Sequence, residues 1–168
     1  MNDVTVRPFR ANEWDLYRDA RLRALKEAPN AFGSTYAQSK LLGDGEWQAR
    51  LDRVQPGRDL PLGAFSAKQV AGMCWTKIYA EEESAHLYQM WVAPSFRGSG
   101  IGRRLLDFSI GWVRDLEIET LILGVTEGET PARSLYESVG FSPTGSKERL
   151  RPESDLYVQV MALNLLGT

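Results

Sequence analysis

One stretch constrains this chain more than any other: Arg97-Gly98-Ser99-Gly100-Ile101-Gly102-Arg103-Arg104, set between an apolar strand pattern and an amphipathic helix pattern. Glycine lets main-chain N–H groups converge without a Cβ in the way. A helix N-terminus adds unpaired N–H groups and about half a positive charge. The chain must therefore fold so that a strand feeds a helix through a tight turn. Such a turn has two uses: a purely structural connection, or a cradle for an anion such as pyrophosphate, with Arg97, Arg103 and Arg104 adding formal charge. Spacing excludes two common phosphate motifs. A P-loop ends in Gly-Lys-Ser/Thr where this chain has Gly102-Arg103-Arg104, and a dinucleotide fingerprint needs glycine where Arg103 stands.

Periodicity orders the remaining elements. Residues 4–9 alternate apolar and polar side chains as a strand does, and Asn12 stands where a cap opens a helix through Trp14, Tyr17, Ala20, Ala24 and Leu25. Residues 30–44 show weak periodicity around Phe32, Gly33 and Tyr36. Asp44 then precedes a short helix carrying Trp47, Leu51 and Val54, broken by Pro56-Gly57. Residues 60–66 and 70–79 read as a hairpin joined by Ala67-Lys68-Gln69, and Glu81-Glu82-Glu83-Ser84 turns the chain into a strand over 85–92. Beyond the Gly-rich turn, Ile101, Leu105, Phe108, Trp112 and Leu116 share a helix face. Residues 120–125 form a strand. Pro131 opens a helix with Ala132, Leu135, Tyr136 and Val139, and Gly140 closes it. Strands over 141–146 and 156–163 end the chain, joined by the charged segment 147–155. The order β-α-α-β-β-β-α-β-α-β-β predicts an α+β fold, a mixed central sheet of about seven strands flanked by about four helices.

Composition narrows the function. At 168 residues the chain is sized for one domain, residues 1–168. Its 20 Lys and Arg against 22 Asp and Glu leave a formal charge of -2, so no basic field draws it to nucleic acid or anionic lipid. One cysteine, Cys74, and one histidine, His86, are too few for a disulfide or a structural zinc site; no metal is expected, and a reducing compartment fits. No basic-then-apolar start marks a secretion signal and no run reaches the ~18 apolar residues of a membrane span, which predicts a soluble cytoplasmic protein.

Arg97-x-x-Gly100-x-Gly102, preceded by Met90-Trp91-Val92-Ala93-Pro94, resembles the acetyl-coenzyme A signature of the Gcn5-related N-acetyltransferases. Ala132-x-x-Leu135-Tyr136-x-x-x-Gly140-Phe141 is similar to that family's downstream helix motif, in the expected order and beyond a short strand. By element order the resemblance covers about residues 4–163, with its motifs concentrated between 85 and 141.

The resemblance implies a cofactor and a site. The pyrophosphate of acetyl-coenzyme A, the acetyl donor, lies in that family on the backbone amides of the turn, here Arg97, Gly98, Ser99, Gly100, Ile101, Gly102 and Arg103. Its pantetheine arm adds as a pseudo-strand along Met90, Trp91 and Val92. The thioester carbonyl then falls near a bulge where a main-chain N–H stabilises an oxyanion. Residues 120–125 splay away to open the cleft. Tyr136 matches the tyrosine that protonates the departing thiolate, and a packed helix-face residue is its plainer alternative. Glu129 replaces an asparagine frequent in the family and can serve the helix dipole instead. His86 is the candidate general base, with Glu81, Glu82 and Glu83 or water as rivals. Acceptor recognition is expected from Phe32, Tyr36 and Trp47 and from residues 147–155, with the three glutamates attracting a cationic amine.

The resulting expectation is direct acetyl transfer to a primary amine of a small molecule or peptide, with a homodimer implied by resemblance. The alternative is a non-catalytic acyl-coenzyme A-binding module. Cys74, mid-strand in an apolar run, reads as a packed residue rather than an acyl carrier.

Overall fold

A computed structural model describes residues 3–67 and 69–166; Met1, Asn2 and Lys68 of the expected hairpin connection lie outside the described residues. Seven strands form one sheet in the order β1-β2-β3-β4-β5-β7-β6. They are β1 (Thr5–Pro8), β2 (Asp59–Phe65), β3 (Val70–Tyr79), β4 (Ser84–Val92), β5 (Thr120–Thr126), β6 (Ser142–Arg149) and β7 (Tyr157–Asn164). Only the β4–β5 pair is parallel. The helices are α1 (Trp14–Glu27), α2 (Tyr36–Ser39), α3 (Asp44–Asp52), α4 (Ile101–Asp115) and α5 (Thr130–Ser138). The predicted α+β class and strand count hold. The fifth helix, α2, is a single turn inside residues 30–44, too short to leave a periodic signal.

Strand β3 shows why the sheet is covered on both faces. Its residues 70–76 are all buried. Successive side chains of a strand point to opposite faces, and Cys74 meets Ser109 of α4 at 3.6 Å while Trp75 meets the Tyr17 ring of α1 at 5.5 Å. Helices α1 and α4 thus sit on opposite sides and close one apolar core.

Several local expectations shift. Asn12 caps nothing: it lies in a 3-10 turn, Ala11–Glu13, ahead of α1, and the Glu13 carboxylate accepts the Arg10 N–H at 2.8 Å while pairing with Arg7 at 2.8 Å. The buried stripe of α4 is Ile101, Leu105, Leu106, Ser109, Ile110 and Val113. Phe108 and Leu116, assigned to that face by periodicity, are exposed, because the face turned to β3 is rotated by about one position. Strand β6 runs on through Lys147, Glu148 and Arg149, which pair with Gln159, Val158 and Tyr157. As an edge strand exposed at every position it carries no apolar alternation to announce it. Gly140 does end α5, at φ 110, with the Phe141 N–H on the Tyr136 carbonyl and the Gly140 N–H on that of Glu137, both at 3.1 Å.

Candidate active site

The parallel ladder between β4 and β5 stops at Leu87–Leu123, yet β4 continues to Val92 and β5, paired with β7, to Thr126. The two strands part and open a cleft of about 610 Å³ lined by both, by α5, by residues 31–34 and by residues 148–150. Arg151 fastens the wall over residues 29–34, donating to the Pro29 carbonyl at 2.7 Å and that of Phe32 at 3.4 Å. Gly33 permits this closure, since a Cβ there would stand 3.3 Å from the Leu150 carbonyl oxygen.

At the fork β4 is bulged. Met73 pairs with Trp91 and Trp75 with Tyr88, so Gln89 and Met90 together face Cys74. Gln89 takes a left-handed conformation, φ 60, that a side chain other than glycine rarely adopts, and the Tyr17 hydroxyl donates to its Oε1 at 2.7 Å. A hydrogen bond from α1 thereby holds the bulge in place. Met90 lines the cleft; Trp91 is buried, with Arg23 over its ring, and does not.

Beyond the end of β4 the chain passes through a 3-10 turn, Pro94–Phe96, into the Gly-rich turn. Gly98 and Gly100 take φ 80 and 84 with open space where a Cβ would be, and Gly100 is the N-cap of α4. Among the described residues, none of the N–H groups from Gly98 through Ser99, Gly100, Ile101 and Gly102 to Arg103 meets a backbone acceptor. The arginines are less free than their number suggested. Arg97 donates to the Val92 carbonyl at 3.0 Å and pairs with Glu27, Arg103 pairs with Asp107 at 3.1 Å, and Arg104 donates to the Val4 carbonyl at 2.8 Å. The backbone, more than the side chains, leaves donors free at this turn.

Tyr136 and His86 line the same cleft. Tyr136 is buried against Phe141, ring centroids 5.9 Å apart, and its phenol has no hydrogen-bond partner among the described residues. Burial raises its pKa, with the nearby Cys74 adding to the rise. The Cys74 thiol is itself pushed up to about 12 by complete burial, partly offset by the Ser109 hydroxyl. His86 stacks on Tyr88 at 5.9 Å, meets Tyr79 edge-on at 4.9 Å, and stands 3.9 Å from Glu82. Burial lowers its pKa, against the opposing pull of Glu82 and Glu148. Glu81, Glu82 and Glu83 are not among the cleft residues; Glu82 meets the site through His86.

Of the residues expected at the acceptor side, Phe32 and Glu148, Arg149 and Leu150 reach the cleft. Trp47 does not: it is a core residue packed on Tyr17 at 5.9 Å. Tyr36 packs outside the cleft, between Lys26 and Lys40. Glu129 is the N-cap residue of α5 and lines the cleft. Sequence reasoning missed Arg21, Tyr17, Tyr88 and Gln89. Arg21 lines the cleft from α1, only 6% exposed, with its guanidinium carbon 4.8 Å from the Phe32 ring centroid. Among the described residues, no group of three or more His, Cys, Asp or Glu is placed to hold a metal, and no helix is long and apolar enough to cross a membrane.

A forked sheet, a bulged strand and a row of amides at a helix N-terminus with no backbone acceptor among the described residues make up this cleft. The acetyltransferase (GNAT) family matches residues 20–141, and the chain belongs to that family, whose members draw on acetyl-coenzyme A. It is 32% identical over 144 residues to a mycothiol acetyltransferase of Streptomyces griseus subsp. griseus, covering 83% of this chain and 43% of that protein. The chain thus spans less than half the length of the curated relatives it matches. In fold it is similar to a GNAT-family acetyltransferase of Streptococcus pneumoniae, with a TM-score of 0.82 at 20% identity over 96% of this chain and 99% of that one. It is also similar to yncA of Salmonella typhimurium, solved with its cofactor acetyl-CoA, with a TM-score of 0.79 at 17% identity over 99% and 96%.

Proposed function

We propose that this chain, acting as a single domain, transfers acetyl from acetyl-coenzyme A directly to a primary amine. The observation that carries the reading is the continuous path from the bulge at Gln89–Met90, along the unpaired side of β4, to the amides of Gly98, Ser99, Gly100, Ile101, Gly102 and Arg103. These groups fit the donor. The amides present donors to a pyrophosphate, the open space at Gly98 and Gly100 admits its oxygens, and the edge of Met90, Trp91 and Val92 that β5 leaves unpaired accepts an amide-bearing arm as an added strand. Bound there, acetyl-coenzyme A supplies an activated acetyl thioester.

The chain's own groups do the rest. A main-chain N–H at the bulge polarises the acetyl carbonyl. Tyr136, whose raised pKa keeps it protonated at working pH, holds a proton at its phenol oxygen for the departing sulfur. His86, kept neutral near pH 7 by burial, accepts the proton that the acceptor nitrogen loses, with Glu82 beside its Nε2 to favour the cation that results. Cys74 takes no part: its thiolate is inaccessible at neutral pH. A homodimer belongs to the proposal on the strength of the family resemblance, and a cytoplasmic location on the single cysteine that fits a reducing compartment; light scattering and cell fractionation check them.

The test is thiol release from acetyl-coenzyme A with and without a panel of primary amines. Amine-dependent release supports the reading. Cofactor binding without amine-dependent release would return the chain to a non-catalytic acyl-coenzyme A-binding module.

A further inference from the structure

The transfer chemistry makes no use of Arg21. Its side chain lies on the inner face of α1 with Tyr17, Ala20 and Ala24, 94% removed from solvent. Among the described residues its guanidinium makes no hydrogen bond and no ion pair, and Nη1 is closed off from solvent with no acceptor. The ionisable groups bearing on it are Tyr17 and Arg50, and Arg50 is a second cation. The Phe32 ring 4.8 Å away replaces part of the lost hydration and supplies no acceptor oxygen. Buried charges in folded proteins are paired, so the partner of this one comes from outside the chain. It enters through the cleft that Arg21 lines beside Phe32 and Ser34.

The position of the guanidinium indicates what kind of partner. Tyr17 and Arg21 stand four residues apart on α1, so their side chains are neighbours, roughly 5–6 Å apart at Cβ. Tyr17 touches the bulge itself through its bond to Gln89. Arg21 is therefore the neighbour, on the same buried face of α1, of the residue that holds the bulge. Beside the Tyr79 hydroxyl that meets Tyr88, the carboxylates that bear on His86 and Tyr88 are Glu82 and Glu148. The one cation lining that wall among the described residues, Arg149, is turned to the Ser154 carbonyl and the Tyr157 hydroxyl, so this part of the site suits an ammonium. Building on the acetyltransferase reading, we infer that the acceptor is an amino-acid-like molecule, an amine with a carboxylate a few bonds from its nitrogen, and that Arg21 receives the carboxylate. The planar guanidinium matches a carboxylate by two parallel N–H···O bonds. An amine lacking that group leaves Arg21 unpaired, and sites of this kind reject such analogues by roughly 10²-fold or more.

The experiment compares amino acids with their decarboxylated amines, L-histidine with histamine, L-tyrosine with tyramine, L-alanine with ethylamine and so through the common set. Wild type, Arg21→Met and Arg21→Lys are assayed after calorimetry has established acetyl-coenzyme A binding by each. The ratio of kcat/KM within a pair does not depend on how much of a variant is folded. The expected result is a preference of roughly 10²-fold or more for the carboxylated member of at least one pair, abolished in Arg21→Met and partly kept in Arg21→Lys. A second arm needs no turnover. Thermal shift with the amino acids alone should stabilise the wild type and leave Arg21→Met unmoved. Equal rates within every pair, a preference that survives Arg21→Met, or acetylation of the decarboxylated amines alone overturns the carboxylate site and leaves the transferase reading standing. Failure of the wild type to bind acetyl-coenzyme A, or cofactor binding with no amine of either kind acetylated, overturns the transferase reading instead, and the thermal-shift arm then decides the anion site by itself.

Discussion

An anion site that is built before its ligand arrives must cost folding energy, and Arg21 allows that cost to be measured. Burial lowers its pKa from the ordinary 12.5 to about 10, with Arg50 adding to the fall and Tyr17 opposing it. At neutral pH the group is charged folded and unfolded alike, so the difference is a folding penalty of about 3 kcal/mol. Arg21→Met removes the charge and keeps an apolar stem of similar length beside Phe32. The lost cation–π contact offsets about 1 kcal/mol of the gain. The variant should therefore be more stable by about 2 kcal/mol, a rise in Tm of roughly 4–8 °C for a chain of this size. Urea unfolding and calorimetry without ligand read it directly. Both states hold the proton between pH 5 and 9, so the increment should be flat across that range. It should shrink only above pH 10, where the folded wild type sheds its proton before the unfolded chain does and recovers stability. A variant less stable than wild type would show that the guanidinium is already compensated within the fold, and the reasoning behind the anion site would fail.

Three further outcomes follow from the same geometry. Tyr136→Phe should lower kcat by roughly 10²- to 10⁴-fold and leave Tm nearly unchanged, because the phenol gives up no hydrogen bond among the described residues; a full-rate variant makes Tyr136 a core residue only. The acid limb of kcat/KM should have its midpoint below 6.5, since burial lowers the His86 pKa, and should vanish in His86→Gln; an unchanged limb assigns the base elsewhere. Folded protein should resist iodoacetamide at pH 7.5, with the thiol held at about 12, and Cys74→Ala should keep its turnover; loss of turnover in a folded Cys74→Ala variant would argue for an acyl-enzyme.

Much of this molecule was legible beforehand because its signals are local. Alternation, apolar runs and helical periodicity located the strands, the charged far half of β6 excepted, and the longer helices, and the glycine spacing of residues 98–102 with Tyr136 and Gly140-Phe141 marked the residues on which the proposed donor site rests. What escaped was non-local. Nothing about glutamine announces a left-handed residue, so the bulge at Gln89 is visible only once Tyr17 is seen to reach it across the fold. The charges of Arg97, Arg103 and Arg104 could be counted but not their partners, although Arg103 and Asp107 at i and i+4 were a fair sign. Trp47 looked available for an acceptor and is spent on the core under Tyr17. Arg21 did leave a trace: a basic residue at position 21 interrupts an apolar stripe running through 17, 20 and 24, which is where a buried charge must fall.

The donor site is the foundation of the whole account, and calorimetric titration of wild type and Gly100→Glu with acetyl-coenzyme A tests it most directly. Gly100 sits at φ 84 at the head of α4, where a glutamate would bring both backbone strain and a negative charge into the row of free amides. Saturable binding to the wild type at one site per chain, abolished or weakened by at least about 10²-fold in a folded Gly100→Glu protein, is the predicted result. A wild type that is folded, free of copurified ligand and indifferent to acetyl-coenzyme A would contradict it, and the turn would then be only a bend between a strand and a helix.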